Sequence, residues 1–282
     1  MKPFLFILIQ LICITAFSHP SVSIVMDSKG NVYYSDLKQV WKIDTQGKKS
    51  IVVQHVHTHE LYIDKHDNLY GEHLWYNGES VNTWGYYVWQ LSPLGKLEKI
   101  IPPTEGFLNN FSFVRDQQGN MYYANRENAC QKVTRRNTDG TNTILGDACM
   151  ENIRWMTVTD DGIVYLIDLY DLKRIDNQGH VTIIAEQLQE KSWSQFFVND
   201  QHAIMGISTD KQKNVYASIN SGRIVKKISP AGKVSEVIKT SIPWSPTGTL
   251  VAPNGDFWIL ECSITNDVRV ECISKDGKRT IY

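Results

Sequence analysis

The chain has 282 residues, with 29 Lys or Arg, 30 Asp or Glu and a formal net charge of −1 at pH 7. No block of like charge occurs along it, which argues against the strongly charged surfaces that bind nucleic acid or anionic membranes. After the amino-terminal segment, no apolar run approaches the about 20 residues that a membrane-spanning helix needs. We therefore expect neither a nucleic-acid partner nor a membrane span.

The amino-terminal segment, residues 1–18, has the layout of a signal peptide. The charged residue Lys2 precedes a short apolar run, and the small residues Ala16 and Ser18 follow with the spacing of a cleavage site. This layout predicts cleavage after Ser18 and a secreted or periplasmic protein. The mature chain, residues 19–282, then has a length that one closed β domain can reach.

A short turn-and-strand unit recurs six times in the mature chain. In each copy a polar turn precedes a strand that contains an aromatic residue, and consecutive aromatics lie 37 to 52 residues apart. The aromatic positions are Tyr33, Tyr70, Tyr122, Tyr165, Tyr216 and Trp258. Such a period is typical of propeller blades.

A second turn follows later in every copy, with a polar residue three positions before a glycine. The glycines are Gly47, Gly95, Gly140, Gly179, Gly232 and Gly277. Asp, Ser or Asn opens such a turn by bonding its own backbone, and glycine takes the left-handed conformation that closes the hairpin. Two turns in each unit separate four strands, which we name A to D in chain order.

Six units of four strands predict an all-β fold, a six-bladed β-propeller with four antiparallel strands per blade. The expected blades are residues 21–54, 57–102, 110–147, 154–186, 204–240 and 247–282. The chain offers no spare strand to complete another blade, so we expect the ring to close by packing between the first and last blades. We expect a monomer.

The segments GNVYYSDLKQVWKIDTQGK and GIVYLIDLYDLKRIDNQGH resemble NHL repeats. The resemblance spans the mature chain. The chain also resembles the wider group of six-bladed propellers, which includes gluconolactonases, paraoxonases and strictosidine synthases. It implies the fold and leaves the function open, because one architecture hosts unrelated activities.

The mature chain keeps four cysteines, an even number that suits an exported protein with disulfides. The third hairpin brings Cys130 within one residue of register with Cys149, which predicts a disulfide between them. Cys262 and Cys272 do not align in the same way, so their pairing stays open.

The loops from strand B to C and from D to A share one face of a propeller, here called the top face. Loops on a rigid scaffold carry function more often than packed strands do. The candidate ligand-binding residues at the ends of the B strands are Glu72, Asn125, Asp168, Asn220 and Glu261. Such oxygen ligands favour a hard cation such as calcium. Alternatively, an aspartate at this position, as at Asp36 and Asp168, caps its own turn.

Three histidines alternate in the connection between the first two blades, and two of them, His57 and His59, can approach His73 at the end of the neighbouring strand. Alternate side chains of an extended strand point to one side, so imidazoles there can converge on zinc or copper. The alternative is a polar loop with solvated or hydrogen-bonded histidines.

Two long connections contain clustered aromatic residues, and we expect both to be loops that cover the scaffold or line a ligand. They are residues 74–86, an insertion between strands B and C of the second blade, and residues 187–205.

Two functions remain open from the sequence. The favoured one is a binding module whose top face takes a small molecule, a glycan or a protein. The other is a metal-dependent hydrolase or lactonase of the gluconolactonase-like kind, with a divalent ion at the central mouth. The chain has no G-x-S-x-G, H-E-x-x-H or phosphate-loop motif, so no catalytic residue is assigned.

Overall fold

A computed structural model describes residues 20–108, 110–126, 129–190 and 202–282. These residues form six antiparallel sheets in chain order, and the innermost strands surround a central channel. The chain is a six-bladed β-propeller, as the repeats predict. Within the described residues, no helix is long and apolar enough to cross a membrane.

The first three blades contain eleven strands. Blade one has β1 (Ile24–Met26), β2 (Val32–Ser35), β3 (Gln39–Ile43) and β4 (Lys49–Gln54). Blade two has β5 (Leu61–Ile63), β6 (Leu69–Tyr76), β7 (Trp84–Leu91) and β8 (Leu97–Glu105). Blade three has β9 (Met121–Asn125), β10 (Gln131–Arg136) and β11 (Asn142–Met150).

The last three blades each contain four strands. Blade four has β12 (Ile153–Val158), β13 (Val164–Asp168), β14 (Asp171–Ile175) and β15 (Val181–Ala185). Blade five has β16 (Met205–Thr209), β17 (Val215–Ile219), β18 (Ile224–Ile228) and β19 (Val234–Lys239). Blade six has β20 (Trp244–Val251), β21 (Phe257–Ser263), β22 (Val268–Ile273) and β23 (Arg279–Ile281).

Blade three differs from the other five in its innermost strand. There the chain makes only a single bridge, between Arg115 and Met121, with a further hydrogen bond from the Tyr122 N–H to the Val114 carbonyl. The segment still occupies the position of strand A, because Val114 and Arg115 line the central channel with the innermost strands of the other blades.

Blade two corrects one expectation from the sequence. Most of the insertion predicted as a loop at residues 74–86 continues strands β6 and β7, which pair as far as Tyr76 with Trp84. The indole of Trp75 lies against Gly85, where a Cβ would collide with the ring. Glycine therefore allows the aromatic side chain to pack flat across the extended hairpin. The other predicted loop, residues 187–205, lies largely outside the described residues.

The turns between strands A and B, on the face opposite the top face, share one hydrogen-bonded triad in four blades. An aspartate accepts hydrogen bonds from the backbone N–H and side-chain amide of an asparagine four residues later and from a tyrosine hydroxyl six residues later. We call this face the lower face. The triads are Asp27–Asn31–Tyr33, Asp64–Asn68–Tyr70, Asp116–Asn120–Tyr122 and Asp210–Asn214–Tyr216.

Blades one and six close the ring by side-chain packing, as expected. Tyr34 of blade one is buried in one apolar cluster with Leu260 and Val270 of blade six. The ring of Trp258 stacks on that of Tyr282, with their centroids 5.6 Å apart. Burial of these large side chains supplies the hydrophobic stabilisation of the closure.

The predicted disulfide between Cys130 and Cys149 is present. The expected register holds from Arg136 to Val133, but a bulge follows, and Gln131 pairs with Met150. Cys262 and Cys272, whose pairing the sequence left open, are free thiols on the neighbouring strands β21 and β22, where Cys262 lies opposite Val268 and Cys272 opposite Trp258.

Candidate functional site

The top face opens into a cavity of about 450 Å³ at the mouth of the central channel. Its walls come from the starts of innermost strands in blades one, two, four and five and from the connection that precedes blade three. Phe111, Phe113, Tyr123 and Trp155 supply aromatic surface. A concave cavity that combines aromatic surface with convergent polar groups is a common form of small-molecule site.

Glu60 is the only carboxylic acid among the described residues that line this mouth. It is half-buried at the last position before β5, and burial raises its pKa to about 7. The nearby Glu72 carboxylate raises the pKa further, whereas His59, Arg126 and a hydrogen bond from the Phe113 N–H oppose the rise. A carboxyl with this pKa can both donate and accept a proton near neutral pH.

Glu72 lies behind Glu60 and holds the connection between blades one and two. Its Oε1 accepts hydrogen bonds from the backbone N–H of His59 at 2.6 Å and of Glu60 at 3.3 Å. The other oxygen is buried and has no partner among the described residues. Glu72 therefore positions the backbone of Glu60 while its own side chain stays buried.

Two arginines from adjacent blades line the same mouth. Arg126 follows β9 and donates a hydrogen bond from Nη2 to the Ile153 carbonyl at 2.9 Å. Arg154 belongs to β12, next to that carbonyl, and is half-buried. Guanidinium groups present several N–H donors in a planar array, so the pair favours a ligand with a carboxylate or carbonyl oxygen.

The histidines predicted to bind a transition metal lie at the outer side of this region. The rings of His57 and His59 meet edge to face with centroids 4.7 Å apart. The Nδ1 of His73 accepts a hydrogen bond from the His57 backbone N–H, and its ring stacks on Tyr87. Burial lowers the pKa of His57 and of His73. Binding of zinc or copper by this set stays a prediction.

The five residues predicted to bind a ligand do not line the mouth cavity. Asp168 accepts hydrogen bonds from the Glu151 and Asn152 N–H groups and pairs with Lys173 at 2.6 Å. Both N–H groups belong to the connection before β12, so Asp168 holds that connection rather than capping its own turn, and its ligand-binding role stays a prediction. Asp36 does cap its own turn, because it accepts hydrogen bonds from the Lys38 and Gln39 N–H groups.

Glu261 is fully buried in β21, the second strand of blade six, and pairs with Arg269 at 2.6 Å, and burial raises its pKa. Asn220 begins a short 3-10 turn, and its amide lies 3.5 Å from the Pro246 carbonyl. Asn125 ends β9 and pairs with Lys132. A ligand-binding role for these residues and for Glu72 stays a prediction.

The mouth does not fit a divalent cation of the kind that the gluconolactonase resemblance implies. Its described lining offers one carboxylate, the Asn110 amide and the hydroxyls of Ser23 and Ser112 beside two cationic guanidinium groups, whereas calcium takes six to eight oxygen ligands, usually including several carboxylates. Within the described part of the chain, no three His, Cys, Asp or Glu side chains converge in a metal-binding group.

Glu60, Arg126 and Arg154 are the site residues that sequence reasoning missed. A usable signal was present for Arg154, because a charged residue inside an innermost strand is unusual. Glu60 and Arg126 occupy irregular connections, so only the folded ring brings them to one cavity.

No family model and no curated protein sequence matches the chain. Solved structures do match it. A virginiamycin B lyase from Staphylococcus aureus is 13% identical with a TM-score of 0.52, covering 92% of this chain and 82% of the lyase. A gluconolactonase from Xanthomonas campestris is 12% identical with a TM-score of 0.56, covering 85% and 83%.

A third neighbour is regucalcin from Agrobacterium tumefaciens, described as a calcium-binding protein. It is 12% identical with a TM-score of 0.53, covering 86% of this chain and 82% of regucalcin. The chain has the fold of the gluconolactonase-like propellers. At these identities the likeness concerns the fold alone, so the chemistry must be argued from the residues of this chain.

Proposed function

We propose that this protein is an exported binding propeller whose ligand is a small organic molecule held in the mouth of the top face. The observation that carries the proposal is that Glu60 and Arg126 share one cavity of about 450 Å³ with aromatic walls. That volume lies in the range of pockets that enclose small molecules. A glycan chain or a protein surface would not be enclosed by it.

The charges of the mouth indicate the chemistry of the ligand. Arg126 and Arg154 supply donors for a carboxylate or carbonyl oxygen. Glu60 donates a hydrogen bond when protonated and accepts one when ionised, so it suits a hydroxyl, ester or acid group. Phe111 and Trp155 offer apolar surface for the rest of the molecule.

Glu60 also supports a second function, catalysis by proton transfer. Its pKa of about 7 is matched to general acid or base work at neutral pH, which typically contributes about 10²–10⁴ in rate. The lyase and gluconolactonase names among the structural neighbours are consistent with this second function. Because the polar groups of the mouth do not suit a divalent cation, Glu60 rather than a bound cation would be the catalytic group.

Screening small acids, esters and lactones by thermal shift and calorimetry tests the binding function. We expect ligands that stabilise the natural protein, with affinity reduced at least about tenfold in Arg126→Gln because a charged hydrogen bond is lost. The matched control is Arg136→Gln, which changes an exposed arginine at the lower end of β10. Equal binding by all three proteins would place the ligand elsewhere.

The same screen separates binding from catalysis. Consumption of a bound ester or lactone, with a pH midpoint near 7 and loss in Glu60→Gln, would establish the catalytic function. If the bound ligands are recovered unchanged, binding without catalysis is the function of the mouth. Amino-terminal sequencing of the exported protein checks the localisation, because cleavage after Ser18 is expected and an intact Met1 would contradict it.

A further inference from the structure

The central channel continues below the mouth as a second cavity of about 320 Å³. Its walls come from the innermost strands of all six blades. Seven residues line both cavities, so the two are continuous. The shared residues are Val22, Ser23, Leu61, Phe113, Val114, Met156 and Ile207.

The walls of the channel are mostly apolar. Val25, Val158 and Leu250 are only half-buried, and all three line this cavity. The hydroxyls of Ser208 and Thr249 are 2.7 Å apart and bond to each other. These walls offer little to an isolated charge, which is costly to place in such surroundings.

One charged side chain nevertheless lines the channel, that of Arg115. Its guanidinium carbon lies 5.3 Å from the ring centroid of Phe111 and 5.9 Å from that of Tyr62. Burial lowers the pKa of Arg115. Aromatic faces stabilise a cation there without using its N–H groups.

The guanidinium of Arg115 has no hydrogen-bond acceptor and no carboxylate partner among the described residues. The ionisable groups that act on it are Tyr62, Tyr70 and Arg136. The nearby acids Asp64 and Asp116 bind the asparagine and tyrosine of their own turns. Arg115 is half-buried, so beside these apolar walls the arrangement has a cation without a protein anion.

We propose that Arg115 binds the carboxylate of a small organic monoanion inside the channel, with the hydrocarbon part of that anion against the apolar walls. The planar guanidinium matches a carboxylate in two parallel hydrogen bonds, and the low polarity of the walls strengthens the attraction. This site goes beyond the proposed function, because it lies below the mouth and uses neither Glu60 nor Arg126.

Calorimetric titration with acetate, butyrate and hexanoate, at fixed pH and ionic strength with chloride as the background anion, tests the site. We expect affinity to rise about fourfold per added methylene while the chain fills the channel. In Arg115→Met the affinity for hexanoate falls at least about tenfold, and Arg115→Lys retains part of it. The Tm of Arg115→Met does not fall, because a half-buried charge without a protein anion is removed from an apolar wall.

Lys211→Met is the matched control, since it removes one exposed positive charge from the turn between β16 and β17. It should bind hexanoate like the natural protein. Unchanged hexanoate affinity in Arg115→Met, or equal effects of chloride and hexanoate on Tm, would overturn the channel site.

Arg126→Gln separates the channel from the mouth. Hexanoate binding that survives Arg126→Gln and is lost in Arg115→Met supports the channel site, whatever the mouth binds. Binding that is lost in Arg126→Gln and kept in Arg115→Met overturns the channel site and leaves the mouth proposal standing.

Discussion

The two faces of the propeller differ in how regularly one hydrogen-bond pattern repeats from blade to blade. On the lower face, four blades repeat one Asp–Asn–Tyr triad with nearly the same hydrogen bonds. On the top face, the polar residue near the upper end of strand B holds the preceding connection in blade four, binds a backbone N–H in blade two and pairs with arginine in blade six. Repetition here indicates a structural role, whereas departure from the repeat indicates a specific local role.

Removing the disulfide tests whether the irregular upper end of blade three needs a covalent link. Replacing both Cys130 and Cys149 by Ser opens a loop with a sequence separation of 19 residues. We expect the free energy of unfolding to fall by about 3 kcal/mol, chiefly because the unfolded chain gains conformational freedom. Urea unfolding with and without reductant measures this loss. If reduction leaves the free energy of unfolding of the natural protein unchanged, the prediction is wrong.

A change in a lower-face triad should give the next largest loss of stability. Asp27→Ala removes the acceptor of the Asn31 side-chain amide and of the Tyr33 hydroxyl, at 2.6 and 3.0 Å. Because both donors remain buried, we expect a loss of about 2 kcal/mol in urea unfolding. The control is Asp44→Ala, whose carboxylate caps a turn through backbone N–H groups alone. A larger loss in the control would contradict the structural role of the triad.

The contrast between the faces also explains what the sequence could predict. The blade count followed from local turn chemistry, which depends on residues a few positions apart, such as Asp44 and Gly47, and the ring closure followed from the lack of a spare strand. Strand A of blade three lies in its expected place, but it is reduced to one bridge at Arg115, which the turn pattern did not predict. The mouth was missed because Glu60 and Arg126 are far apart in sequence and meet only through the ring.

Glu60 gives a smaller and pH-dependent effect on stability. Its folded pKa of about 7 lies above the ordinary value of 4.5, so the folded protein holds this proton more tightly than the unfolded chain does. The corresponding stability is present below the ordinary value and is lost as the pH rises through about 7. We expect Tm to decline over this range in the natural protein and to decline less in Glu60→Gln.

Glu98→Gln is the control for this experiment, because Glu98 is an exposed acid of β8 that pairs with Lys96. It should reproduce the pH dependence of the natural protein. An equally flattened profile in Glu98→Gln would show that general surface charge, and not Glu60, sets the decline.

The titration of Glu60 is central to the mouth, because both of its proposed functions use this carboxyl. Infrared difference spectra of glutamate-labelled protein, natural minus Glu60→Gln, isolate its carboxyl band as the pH is varied. We predict a midpoint of about 7, set by burial in the mouth. A midpoint at the ordinary value of 4.5 would contradict the account, because Glu60 would then be a solvated surface acid.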